Sequence, residues 1–158
     1  MFGQTLYSAR RYDEAIPHLK RSIELEPRNF LAYSRLADVY EQMERYDDAL
    51  SVYRRVQAQV KGRPYLDRIA RVYARMGKRT EARELLEELK ATTGLTGFLP
   101  GAYAALDDNA EAFRQLMKKI DERALPGLFF IKVDPLFDSL RSDPRWKVVL
   151  RRMNLPAE

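Results

Sequence analysis

One five-residue run limits what this chain can fold into, because it recurs at nearly constant spacing. Arg11-Tyr12-Asp13-Glu14-Ala15 returns as Arg45-Tyr46-Asp47-Asp48-Ala49, 34 residues later. Weaker copies follow at Lys78-Arg79-Thr80-Glu81-Ala82 and Asp108-Asn109-Ala110-Glu111-Ala112, after a further 33 and 30 residues. Self-similarity at such a period marks a chain made of one supersecondary unit that cannot cover its own apolar face. Neighbouring units must then stack.

Around each copy the apolar residues keep helical spacing. Ala15, Ile16, Leu19 and Ile23 share a face; Leu36, Ala37 and Tyr40 precede Ala49, Tyr53 and Val56; Ile69, Ala70 and Tyr73 precede Ala82, Leu86 and Leu89. Each unit reads as two helices joined by a tight turn, with units at residues 2–26, 30–61 and 64–90. Asp13, Asp47 and Thr80 stand where they would cap the second helix of each pair. Pro17 falls in a first turn, where its missing amide is harmless, and Gly77 suits the left-handed end of a first helix. Pro27 and Gly62-Arg63-Pro64 close their units. In this register Met1 stands near the sixth position of a first helix. The expectation is a chain cut from something longer, or a first unit frayed or capped by a partner.

The spaced set Leu36, Ala37, Tyr40, Tyr46, Ala49, Tyr53 and Val56, with its counterpart Ile69, Ala70, Tyr73, Gly77 and Ala82, resembles the tetratricopeptide repeat. The small residues let paired helices approach closely, and the tyrosines fill the space beside them. The resemblance implies an all-α fold, an α-α superhelix with one concave surface, and a non-enzymatic role in binding a protein or peptide. Units one to three occupy residues 1–94. Residues 95–124 read as a degenerate fourth unit, because Gly94 to Gly101 stands where its first helix would begin. That leaves Ala102 to Asp107 for the helix, while Glu111 to about Arg123 carries a clear stripe of Phe113, Leu116, Met117 and Ile120.

Residues 125–158 depart from the repeat and read as a helical cap. Asp134-Pro135 and Ser142-Asp143-Pro144 each place a capping side chain before a proline. They predict helices at about 135–141 and 144–153, with Trp146, Val149, Leu150 and Met153 facing one way. The run from Val133 to Trp146, followed by Leu150 to Pro156, resembles the closing segment of tetratricopeptide modules in bacterial signalling proteins. Such proteins carry winged-helix, cyclase or serine/threonine kinase domains upstream. The resemblance implies a regulatory setting.

Enzyme motifs are not apparent, and neither a cofactor nor a metal is expected. His18 is the single histidine and the chain has no cysteine, whereas zinc normally takes three or four protein ligands. Asp47-Asp48 and Asp107-Asp108 precede helices and suit capping better than acid–base chemistry. Apolar runs such as Leu128 to Ile131 are too short to cross a bilayer, and the cytoplasm is the default compartment. The net charge of +5 comes from 28 basic and 23 acidic residues, a mixture that suits a solvated exterior.

In repeat register the first helix of each pair lines the concave groove. Its exposed candidates are Gln4, Tyr7 and Ser8; then Leu31, Ser34, Arg35, Asp38, Glu41 and Gln42; then Asp67, Arg68, Arg71 and Arg75. Arg68, Arg71 and Arg75 share a helix face, and guanidinium forks suit carboxylates, so an acidic peptide is one expected ligand. The same arginines can instead pair with Asp38, Glu41 or Asp67, and the sequence leaves both readings open. Chaperone-type clamping of a terminal carboxylate is disfavoured, because Gln4, Arg35 and Arg68 stand near the needed positions without the asparagines. Two further readings are nucleic-acid binding by Arg145, Lys147, Arg151 and Arg152, and self-association into a homo-oligomer through the first helix.

Overall fold

A computed structural model of the chain describes residues 2–60, 65–91, 99–122, 128 and 130–156. Four helix pairs follow one another: α1 (Phe2–Ser8) with α2 (Tyr12–Leu25), α3 (Phe30–Gln42) with α4 (Tyr46–Gln57), α5 (Leu66–Arg75) with α6 (Arg79–Ala91), and α7 (Leu99–Ala105) with α8 (Asn109–Asp121). A 3-10 helix (Pro135–Leu140) and α9 (Arg145–Arg152) complete the chain. No strand occurs among the described residues.

Every pair turns by the same device. Arg10, Glu44, Gly77 and Asp107 take positive φ of 60°, 59°, 79° and 59°. Beyond each, the next amide donates five residues back: Arg11 N to Leu6 O, Arg45 N to Tyr40 O, Lys78 N to Tyr73 O and Asp108 N to Tyr103 O. These are Schellman closures, which satisfy the carbonyls left free at a helix end. Only Gly77 enters the left-handed region without a Cβ penalty; the other three closures carry a side chain there.

The caps differ from expectation. Arg11 and Arg45 are the N-cap residues of α2 and α4 and make no side-chain cap bond. Asp13 and Asp47 therefore sit inside the first turn, as does Thr80 in α6, which begins at Arg79. The carboxylates at the third helical position, Glu14 and Asp48, reach back to the arginines instead, with Arg45 Nε 2.7 Å from Asp48 Oδ2. The early start also puts Pro17 inside α2, past its first turn. Asp108 does cap α8, accepting from Glu111 N at 3.1 Å. Helix α7 starts at Leu99, ahead of the expected Ala102, and α8 lies two residues earlier than expected. Gly94 to Phe98 and the turn at Gly62-Arg63-Pro64 lie outside the described residues.

Two apolar cores meet on α5. The first gathers α1 to α5 around Tyr7, Tyr33, Tyr53 and Val56; the second gathers α5 to α9 around Leu86, Leu116, Phe137 and Trp146. Close approach is built in where Gly101 faces Leu136: a Cβ there would lie 2.8 Å from both leucine methyl carbons. Helix α9 packs on α8, while the 3-10 helix packs on α7. The segment before α9 then crosses to the far end of the chain, so that Asp134 and Asp138 meet α1 and its turn.

Candidate functional site

The first helices of units two and three face each other through charge. On α5, Arg68 Nη1 lies 2.7 Å from Asp38 Oδ1 of α3. Arg71 reaches both Asp38 Oδ1 (2.6 Å) and Glu41 (2.9 Å), and Arg75 Nε reaches Glu41 at 2.9 Å. Arg35 closes the set 3.2 Å from Asp38, and the Tyr53 hydroxyl donates to Asp38 at 3.1 Å. Burial alone would raise the Asp38 carboxyl, but the guanidinium groups of Arg68, Arg71 and Arg35 outweigh it and hold it well below the usual range. Burial likewise works against the charge on Arg71, and Glu41 and Asp38 more than restore it.

The chain's own C-terminal segment bonds to α1 and its turn, near enough to this seam for Asp134 to feel its charges. The Tyr7 hydroxyl donates to Asp134 Oδ1 at 3.2 Å, and Arg10 pairs with Asp138 at 2.7 Å. Asp134 also caps the 3-10 helix by accepting from Leu136 N at 3.0 Å. Burial raises the Asp134 carboxyl, as does the nearby charge of Asp38, with Arg35 and Arg71 acting the other way. Burial and Asp38 push the Tyr7 hydroxyl up as well, so it stays a donor at neutral pH.

The structure thus brings the expected groove residues together but does not expose most of them. Tyr7, Ser34, Asp38, Glu41, Asp67 and Arg71 are buried. Arg35, Arg68 and Arg75 are partly buried, each already holding a carboxylate. Of the two readings of these arginines, ion pairing with Asp38 and Glu41 is the one the geometry displays. The physical reason is the distance between α3 and α5, which lets guanidinium forks span it and excludes solvent. The side chain of Gln4 lies outside the described residues. In the tail, Arg145 pairs with Asp143 at 2.7 Å, Arg152 pairs with Asp121, and Trp146 is buried against Phe137. Arg145 also lies over the ring of Phe113, which is buried like Trp146, whereas single-strand stacking requires exposed aromatics.

A surface that the sequence did not single out lies at the unit-one end. Leu25, Leu31 and Phe130 are 71%, 66% and 47% exposed, and all three line one open groove of about 570 Å³. Its other walls include Gly3 and Thr5 of α1, Leu19 and Ser22 of α2, and Ala32 and Arg35 of α3. His18 and Arg21 also border it. Leu31 was among the candidates; Leu25 and Phe130 were not. The available signal was the position of Leu25 off the buried stripe of α2; Phe130 lies in a turn and carried none.

His18 is exposed on α2, and no group of three or more histidine, aspartate or glutamate side chains among the described residues is arranged to hold a metal. No helix among them is long and apolar enough to cross a membrane.

Comparison with known proteins bears on the repeats. Family models described as tetratricopeptide repeat match residues 1–64 and 65–93. No curated protein and no solved structure matches the chain. The matched span contains the first three helix pairs with their shared turns, and α7–α8 repeats the same closure beyond it. The chain belongs to the tetratricopeptide-repeat family, whose repeats mediate protein–protein interaction.

Proposed function

We propose that this chain is a non-catalytic protein-binding module that docks its partner at the open unit-one end, not in the charged groove. One observation carries the reading: Leu25 of α2, Leu31 of α3 and Phe130 of the turn before the 3-10 helix, three large apolar side chains, converge exposed on a single groove. Grouped exposed apolar residues mark interaction surfaces, whereas scattered ones do not. The concave face offers less, because its carboxylates and guanidinium groups are committed to one another, and Asp134 and Asp138 hold Tyr7 and Arg10 beside them. An incoming acidic peptide would have to displace those pairs.

The setting we propose is a cytoplasmic one, within or beside a larger bacterial signalling or transcription-regulatory protein. The likeness of Val133 to Trp146 to the closing segment of such modules supports it. Site-specific photo-crosslinking tests the docking surface. A crosslinking residue placed at Leu31 is expected to trap the partner in cells, while one at Arg75 is not. Trapping at Arg75 alone would return the site to the concave groove and its acidic ligand.

A further inference from the structure

A second groove lies between α2 and α4, floored by α3 on the side away from Asp38. Tyr33 and Leu36 share that face of α3 at three-residue spacing, and Ile23 of α2 and Val52 of α4 join them in the lining. The groove encloses about 480 Å³, a size typical of small-molecule sites. It shares no lining residue with the groove at Leu25, Leu31 and Phe130.

Two observations single it out. Tyr33 is only 2% exposed, yet its hydroxyl has no hydrogen-bond partner among the described residues. Buried hydroxyls are nearly always bonded, and one left without a partner costs free energy. Tyr7 and Tyr53, buried as deeply, each donate to an aspartate. The second observation is a mismatch of charge at the rim. Glu24 and Asp48 line the groove but are held by Arg21 at 3.0 Å and Arg45 at 2.7 Å. Lys20 and Arg55 line it too, and neither pairs with a carboxylate among the described residues. Arg55 rests over the Tyr33 ring, 5.4 Å from its centroid, a contact that leaves its charge unneutralised. The groove thus offers a phenol and two cations, none of them with a carboxylate.

We infer that this groove is a binding site for a small carboxylic acid with an apolar body, separate from the protein-docking surface. The exposed Arg55 side chain turns off the ring and carries the carboxylate in, where it accepts from both the guanidinium and the Tyr33 hydroxyl. Lys20 adds a second positive charge, and the apolar body covers Ile23, Leu36 and Val52. A phosphate suits the site less, because its second negative charge would meet Glu24 and Asp48 at the rim.

The probes are phenylbutyrate and octanoate, followed by amide chemical shifts in NMR titrations of the full chain. Saturable shifts are expected along the facing sides of α2 and α4, and phenylbutyramide, which lacks the charge, should bind about tenfold more weakly. Arg55→Gln and Tyr33→Phe should each weaken phenylbutyrate binding several-fold. Arg83→Gln, the same loss of charge on exposed α6, should leave it unchanged. Tyr33→Phe should not lower the thermal midpoint of the free protein, since the hydroxyl it removes has no bond to lose. No saturable shift from either acid up to about 10 mM overturns the inference, as does equal binding of acid and amide. Affinity that survives Tyr33→Phe, or that falls as much with Arg83→Gln as with Arg55→Gln, overturns it too. A capped leucine–glutamate–leucine peptide that binds where both acids fail would give the groove to a partner protein instead.

Discussion

Helix α5 carries two joints of opposite chemistry. Toward α3 it presents Arg68, Arg71 and Arg75 to Asp38 and Glu41; toward α7 it presents Ala70 and Ala74 in a core shared with Ala102, Tyr103 and Leu106. The apolar joint gains free energy from burial itself, at about 25 cal/mol per Å² of apolar surface. The charged joint gains far less, because taking ions out of water offsets most of their attraction. What it supplies is a condition: the buried carboxylates need their guanidinium partners, Arg35, Arg68 and Arg71 for Asp38 and Arg71 and Arg75 for Glu41. The difference explains why residues that look like a ligand site from their types can be occupied internally. It also explains why the open binding surface is apolar.

The comparison can be broken most strongly at Arg71. Arg71→Met leaves Asp38 and Glu41 buried without their shared partner, and urea unfolding should register a loss of about 3–5 kcal/mol. The apolar joint should respond to volume instead. Ala74→Leu adds three carbons to a packed contact and should cost about 1–3 kcal/mol by overpacking, with no dependence on pH.

Acid should separate two buried aspartates. Asp38 has a lowered folded pKa, so its contribution is complete above the unfolded value of about 3.9 and is lost as pH falls below it. Asp134 has a raised folded pKa, so its contribution is present below that value and is lost as pH rises through the folded one. Asp134→Asn should therefore flatten the stability profile just above pH 4, and Asp38→Asn should flatten it below, as read from urea midpoints at fixed pH. Profiles unchanged by either substitution would contradict these environments.

The smallest expected effect is a gain. Glu44 holds φ at 59° on an exposed turn, so Glu44→Gly removes Cβ strain and should stabilise by about 0.5–1 kcal/mol in thermal unfolding. Gly77→Ala should do the reverse by a similar amount. Nothing lies within 4 Å of its added Cβ, so only the backbone opposes it.

Much of this architecture was legible because alanines and tyrosines at helical spacing have few ways to pack, and the period repeats them. Gly77 announced its left-handed turn, whereas Arg10, Glu44 and Asp107 did not. Their strain of about 1–2 kcal/mol is local and is accepted because the closure satisfies helix-end carbonyls. Cap positions slipped by two residues for a related reason: Asp13 and Asp47 are good caps by type, but the turn geometry starts each helix two residues earlier. At the site, the residue types were readable and the pairing was not. Arg71 and Glu41 are 30 residues apart, and which partner a guanidinium takes depends on the spacing of two helices in space. The crossing of Asp134 and Asp138 to Tyr7 and Arg10 spans almost the whole chain, and no local pattern encodes it.

The central claim is that the concave charges hold units two and three together and are not a free ligand surface. A double-mutant cycle between Arg71 and Glu41, measured by equilibrium urea unfolding of Arg71→Met, Glu41→Met and the double variant, tests it most directly. The predicted result is a coupling of about 2 kcal/mol or more, with the double variant recovering much of the stability that either single change loses. A coupling below about 0.5 kcal/mol, the range of exposed pairs, would contradict it and make these arginines available to a partner.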